Sequence, residues 1–309
     1  MGLPNLRLST PMPGPGSLNG LAQLTPGAPF EGVFAVREVE RRLSRAGKPF
    51  LSVVLSDATG SARGVIFDQP DWFAERLTLG APVRVAGRAE QRGGRLELLI
   101  SHVRPADDEV DDAHLVPRSH RDPDELFGFV LHLADEIGDP GLRRALAVLT
   151  SDHDLVASWQ QVPCTRSGHH AYVGGLVEHT VGVAALCQTL CTWHPRVDAD
   201  LLVTAALVHD LGYTRAWRVG ATFEATEQGR MLGHVALGLE IVADAARRAE
   251  LDESRRLALL HCVAWHHGPP APASPNQASP EALALMRLNA AEVQVKSRLE
   301  GPGADSAVI

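Results

Sequence analysis

No apolar run in the 309 residues reaches the 18 or so needed to cross a bilayer, so no membrane-spanning helix is expected. The first residues, MGLPNLRLSTPMPGPG, lack a basic segment followed by an apolar core, and no secretory signal is visible. Cysteine is scarce. The four present (Cys164, Cys187, Cys191, Cys262) form no C-x-x-C pair of the kind that holds zinc. Cys187 and Cys191 stand four apart in an apolar stretch, the setting of small buried thiols. A reducing cytoplasm is therefore the expected compartment. An excess of positive charge is also missing: the net charge of −8 argues against bulk binding to nucleic acid. Apolar content of 45% and charged content of 21% are those of a globular protein, and the length accommodates two domains, each with its own core.

The charge is uneven. Residues 30–105 hold 12 Lys/Arg against 9 Asp/Glu, whereas residues 106–309 hold 16 against 28. A mildly basic module is joined to an acidic one. An acidic module still binds a polyanion when metal ions sit between them. Residues 1–28, rich in Pro, Gly, Leu and Ser without periodicity, are expected to form a flexible leader. Residues 29–106 read as strands around the turns D-A-T-G and Gly93-Gly94, with a short helix at Asp71–Leu79 between the third and fourth strands. That order predicts a small all-β, five-stranded barrel. The L-S-D-A-T-G turn, the G-x-x-V-x-V-x-G segment at Gly80–Gly87 and the closing G-R-L-E-L-L-I strand resemble the OB-fold of the tRNA-anticodon-binding type. Such folds bind single strands through a basic groove and aromatic platforms. The resemblance implies Arg63, Arg84, Arg88, Arg92 and Arg95 as backbone contacts, with Phe67 and Trp72 as stackers. An ordinary solvated face for the arginines and a core position for Phe67 are the plainer alternatives. Arg92 and Arg95 flank the Gly-Gly tip.

Residues 107–125 are acidic and Pro-containing, and read as a linker. From 126 to 300 the pattern is all helical, with segments at 126–137, 140–150, 152–160, 174–192, 199–212, 231–249, 253–265 and 280–298. Residues 301–309 form a tail. One stretch organises this half: LLVTAALVHDLGY, Leu201–Tyr213, an apolar run that ends in His209-Asp210. A buried carboxylate beside a buried imidazole is costly unless compensated, and a divalent metal takes both the charge and the lone pair. A structural His-Asp hydrogen bond at a helix end is the alternative for the dipeptide alone. The other histidines decide between them. His179, His234 and His266 each stand in otherwise apolar helical sequence, with His267 beside the last and His169-His170 ahead of the first. Bundle interiors with one inward ligand per helix are where metal sites are built.

This pattern resembles the HD superfamily of metal-dependent phosphohydrolases. The resemblance implies His179, His209 and Asp210 as ligands of one ion, and His234 and His266, with His267, as ligands of a second. The order of the two halves resembles the YhaM-type 3′–5′ exoribonucleases. The matching segments are P-x-x-x-x-x-H-H-x-x-x-G-G-L-x-x-H at Pro163–His179, L-G-H at Leu232–His234 and H-H-G at His266–Gly268. Two positions depart. The family's last-helix Asp falls on Asn289, and Glu292, three residues on, is the expected substitute ligand. The family's Lys after the HD pair falls on Tyr213, leaving Arg215 or Arg218 to supply the phosphate-holding cation.

The implied activity is degradation of single-stranded RNA, or single-stranded DNA, from the 3′ end to 5′-mononucleotides. Two ions of Mn²⁺, Fe²⁺ or Co²⁺ suit the mixed N/O ligands. Asp210 bridges them, and His169 or His170 protonates the leaving oxygen or steadies the phosphate, unless that pair is loop structure. No membrane partner is expected; a homo-oligomer is allowed. Two rivals stand beside this reading: an HD phosphohydrolase of a free or cyclic nucleotide, and a non-catalytic single-strand-binding protein with a degenerate HD site.

Overall fold

The computed structural model describes residues 20–44, 46–75, 77–92, 95–106, 115–166, 168–269 and 277–300. The expected tail, the first 19 residues of the expected leader, and positions 107–114 of the expected linker lie outside them.

The first half is the OB-fold. Strands β1 (Pro29–Leu43), β2 (Pro49–Asp57), β3 (Gly60–Ile66), β4 (Pro82–Arg92) and β5 (Arg95–Pro105) close a barrel in the order β1-β2-β3-β5-β4. Only the β3–β5 pairing is parallel. β1 is long enough to serve two neighbours. A register shift between Val36 and Glu38 bends it, so its first half pairs with β4 and its second with β2. The β2–β3 turn is built by Asp57, whose carboxylate accepts from Thr59 N, Thr59 Oγ1 and Gly60 N. Phe34, Val36, Leu51, Val53, Leu55, Val85 and Leu98 fill the barrel. The helix between β3 and β4, α1 (Pro70–Ala74), is shorter than the segment expected from sequence.

Residues 20–28 depart from the flexible leader expected there. Leu21 is buried in the barrel core and its N–H donates to Asp57 Oδ2 at 2.7 Å. Ala22 N donates to Thr59 Oγ1. At the other end, Leu115 and Val116 of the expected linker are buried, and Pro123 already opens a helix capped by Asp122.

The second half is helical: α2 (Pro123–Glu136), α3 (Pro140–Thr150), α4 (His153–Gln161), α5 (Gly175–Trp193), α6 (Ala199–Val208), α7 (Tyr213–Ala216), α8 (Glu227–Arg248), α9 (Glu253–Trp265) and α10 (Pro280–Glu300). Asp side chains cap α2, α3, α4, α6 and α9, as the Asp-rich turns suggest. The core runs through Trp159, Leu176, Val183, Leu202, Leu207, Val263 and Leu285. Helix α7 and one further feature were absent from the sequence reading, and one helix is shorter than expected. A small hairpin, β6 (Trp217–Val219) with β7 (Phe223–Ala225), follows α7. The helix expected over 199–212 stops at Val208, because the His209 ring takes the Ala206 carbonyl that the next turn would need. By contacts the chain divides into two compact units: Met1–Pro117 with Val219–Phe223, and the remainder. Among the described residues no helix is long and apolar enough to cross a membrane.

Candidate metal centre

α6 is buried at every position from Leu201 to Val208, and it delivers His209 and Asp210 into the helical core. His179 arrives from α5, His234 from α8, and His266 and His267 from the end of α9. Asp210 is the centre of the group. Its Oδ2 lies 3.4 Å from both His179 Nε2 and His209 Nε2. Its Oδ1 lies 3.2 Å from His266 Nε2 and 3.4 Å from His234 Nε2. One carboxylate thus faces two sets of imidazoles, one per oxygen. Potential ligand atoms converge as His179, His209 and Asp210 on one side, and as Asp210, His234, His266 and His267 on the other.

The hydrogen bonds behind these rings settle which nitrogens are bare. His209 Nδ1 meets the Ala206 carbonyl at 2.8 Å and His266 Nδ1 meets the Val263 carbonyl at 2.6 Å. A carbonyl only accepts, so both Nδ1 atoms carry the proton and both Nε2 lone pairs point inward when the rings are neutral. His209 Nε2 is 3.2 Å from His179 Nε2, and His234 Nε2 is 2.9 Å from His267 Nε2. Nitrogens drawn this close need a proton or a cation between them. Among the buried side-chain atoms without a hydrogen-bond partner are Asp210 Oδ1, His266 Nε2 and Asn289 Oδ1. Asn289 Nδ2 donates to the His266 carbonyl at 3.3 Å, which leaves the amide oxygen as the unpartnered end. Unsatisfied buried acceptors cost about 1–3 kcal/mol each. Three acceptors of this kind, with bare imidazole nitrogens beside them, fit divalent cations.

The electrostatics of the cluster follow from burial and from the charges within it. Burial works against ionising Asp210, yet His209, His179 and His266 hold its carboxyl well below the usual range. His179 also pays for burial, but Asp210 and Glu292 push it up to about 9. Burial lowers the pKa of His209 and His234 and takes that of His267 down to about 4.

Close backbone approach sets the position of His234. A Cβ on Gly212 would stand 1.8 Å from the His234 carbonyl oxygen and 2.6 Å from Gly238 N. Only glycine lets the turn after Asp210 lie against α8. The backbone of α8 breaks at Gly233, with φ 72° and ψ 163°, immediately before the histidine.

The remaining expected site residues fall elsewhere. Glu292 does not reach Asp210. Its two oxygens take His179 Nδ1 and His170 Nε2, each at 2.7 Å, so it stands behind His179 rather than beside it. His170 is buried, with Nδ1 on the Tyr172 hydroxyl at 2.9 Å, so both its ring nitrogens face protein groups. His169 is half-buried, 3.4 Å from Ser297 Oγ, and burial lowers its pKa. Tyr213 stacks on His234, with centroids 4.1 Å apart and planes at 13°, which gives it a packing partner instead of a lysine's charge. Arg215 pairs with Glu240 on the surface.

In the barrel, Phe67 is 48% exposed and lies 5.5 Å from Phe50, which was not among the expected stackers. Trp72 packs edge-on against Phe73. Arg63 is exposed. Arg84 pairs with Glu31, Arg88 donates to the Gly27 carbonyl, and Arg92 meets Glu97 at 3.3 Å. The side chain of Arg95 and the Gly93-Gly94 tip lie outside the described residues.

Comparison with known proteins gives the same two parts. A family model described as an HD domain matches residues 176–294, and one described as an OB-fold nucleic acid binding domain matches residues 33–106. Proteins named 3′-5′ exoribonuclease YhaM are similar along most of their length. That of Halalkalibacterium halodurans is 26% identical over 80% of this chain and 78% of its own. That of Bacillus subtilis is 24% identical over 75% of this chain and 74% of its own. Among solved structures, the second OB-fold domain of replication protein A from Methanococcus maripaludis covers 30% of this chain and 98% of its own, with 19% identity and a TM-score of 0.25. The chain thus carries an OB-fold nucleic-acid-binding domain followed by an HD domain, and it is similar over most of its length to the YhaM-type 3′–5′ exoribonucleases.

Proposed function

We propose that this protein is a metal-dependent hydrolase that degrades single-stranded RNA from its 3′ end to 5′-mononucleotides. The observation that carries the reading is Asp210, whose two oxygens each face a separate set of imidazole nitrogens. In this reading His179, His209, Asp210 and Asn289 Oδ1 hold one ion, and Asp210, His234, His266 and His267 hold the other. Mn²⁺, Fe²⁺ or Co²⁺ suits that mixture of nitrogen and oxygen. Once bound, the pair supplies Lewis acidity and an activated water for in-line attack on a phosphodiester. His169, half-buried at the edge of the group, is the residue assigned to the leaving oxygen or the phosphate, since His170 has both nitrogens engaged. Preference for RNA follows the name carried by the relatives. Four free cysteines support action in a reducing cytoplasm.

The barrel's share is strand binding. Phe67, with Phe50 beside it, offers a surface on which bases stack, and Arg63 lies exposed on the adjoining strand β3. The test is a time course with Mn²⁺ on 5′-labelled single-stranded RNA, run beside Asp210→Ala. A ladder that shortens from the 3′ end, and is lost in the variant, is the expected result. Retained RNA binding without cleavage would replace this reading with that of a strand-binding protein.

A further inference from the structure

The metal centre is short of negative charge. Among the described residues Asp210 is the one carboxylate in the two groups that share it, His179-His209-Asp210 and Asp210-His234-His266-His267, and Asn289 presents a neutral oxygen. Two divalent cations bring four positive charges to that site. The nearest further anion is Glu292, one turn along α10 from Asn289. Both its oxygens are fixed by ring nitrogens at 2.7 Å, a length typical of charge-assisted hydrogen bonds.

The far side of Glu292 is built with equal care. His170 is a non-glycine residue at φ 48°, in the left-handed region. Its carbonyl accepts from Cys164 N at 3.1 Å, and its ring rests on Tyr172. A Cβ on Gly175 would come within 2.2 Å of that carbonyl oxygen, so the loop closes only because residue 175 is glycine. Backbone strain of order 1–3 kcal/mol persists only where the surroundings over-determine it. Among its contacts, the strained residue holds the Glu292 carboxylate that meets His179.

We propose that Glu292 is a positioning residue that, held by His170, backs His179 with the negative charge Asn289 does not bring to the metal centre. A carboxylate on Nδ1 keeps the proton there, turns the Nε2 lone pair to the ion and raises its basicity. Charge lost from a ligand position is thereby restored one imidazole away. The inference rests on the metal-dependent reading above.

The test is Mn²⁺ titration of the full-length protein by calorimetry, for wild type, Glu292→Gln, Asn289→Asp and the double variant. Glutamine keeps the size and one acceptor, so folding is checked by circular dichroism alone. Glu292→Gln is expected to weaken Mn²⁺ binding about 10- to 100-fold. The double variant is expected to recover most of the loss, because Asn289→Asp returns the charge; a packing role for Glu292 would give no such rescue. His170→Asn, the second variant, is expected to weaken binding severalfold in the same direction. Binding by Glu292→Gln within threefold of wild type, or a double variant no better than Glu292→Gln, overturns the proposal. A wild-type protein that takes up no Mn²⁺ overturns the functional reading instead, so the two failures are told apart.

Discussion

His209 and His234 lie on opposite sides of one carboxylate, each against a different oxygen of Asp210. Removing either ring should therefore empty one side and leave the other. His209→Ala and His234→Ala are each expected to retain about one Mn²⁺ per chain, and Asp210→Ala none, as read by metal analysis after desalting. Equal loss in all three would mean that the two sides fill as a unit. The histidines and Asp210 were legible in the sequence because several apolar helices each offer one: a single imidazole in an apolar helix is usually a satisfied core residue, but a set of them beside a His-Asp pair is not. Glu292 was legible only as a residue on the same helical face as Asn289. Which nitrogen it meets depends on how α10 packs against α5, and helical spacing cannot report that. In the structure its two oxygens lie behind His179, on His179 Nδ1 and His170 Nε2. Tyr213 was read as a missing lysine, whereas the structure uses it as a flat surface under His234.

At the level of elements, the position of α6 governs the site, since α6 ends at the His-Asp pair. Its N-terminus is tied to that of α3. Asp139 caps α3 by accepting from Gly141 N and Leu142 N, and Asp198 caps α6 by accepting from Leu201 N. Arg255 of α9 donates to both carboxylates. Partial burial works against the Asp139 charge, but the Leu142 amide, Arg255 and the Gly141 amide together hold its carboxyl below the ordinary value. The folded state therefore releases the Asp139 proton more readily than the unfolded chain does. That contribution is complete above the unfolded value of about 3.9 and is lost as pH falls through the lower folded value. Asp139→Asn keeps a capping oxygen and removes only the charge. It is expected to cost about 0.5–1 kcal/mol at pH 6, a partly exposed pair being screened, and progressively less as pH falls below the unfolded value. Urea unfolding at pH 6 and below that value measures it. A constant difference would show that the amide's geometry, and not the charge, is responsible. These caps were readable, because Asp before an apolar run has a local meaning. The β6–β7 hairpin was not, since strands of three residues are too short to show alternation.

On the scale of the whole molecule, the basic and acidic halves divide the work differently from the way their charges imply. The arginines picked from the sequence as phosphate contacts mostly have protein partners: Arg84 holds Glu31, Arg88 the Gly27 carbonyl and Arg92 Glu97. A chain of net charge −8 in which three of the five arginines picked out already have protein partners gains less from counterion release. Stacking must then carry more of the strand affinity, and the exposed Phe67 with Phe50 is where the barrel offers it. A stacked base is worth about 1–3 kcal/mol, or roughly fivefold to over a hundredfold in affinity. Phe50→Ala/Phe67→Ala is accordingly expected to raise KM for a long single-stranded RNA by that factor. Hydrolysis of a dinucleotide, which needs only the helical domain's residues, should proceed unchanged. Salt separates this from an electrostatic footing: the variant's loss should be similar at 50 and 200 mM salt, because a base stack neutralises no phosphate. A loss that shrinks steeply with added salt would return the arginines to the leading role. An equal loss on the dinucleotide would place the aromatic pair in the chemistry of the metal centre instead of in the grip on the strand.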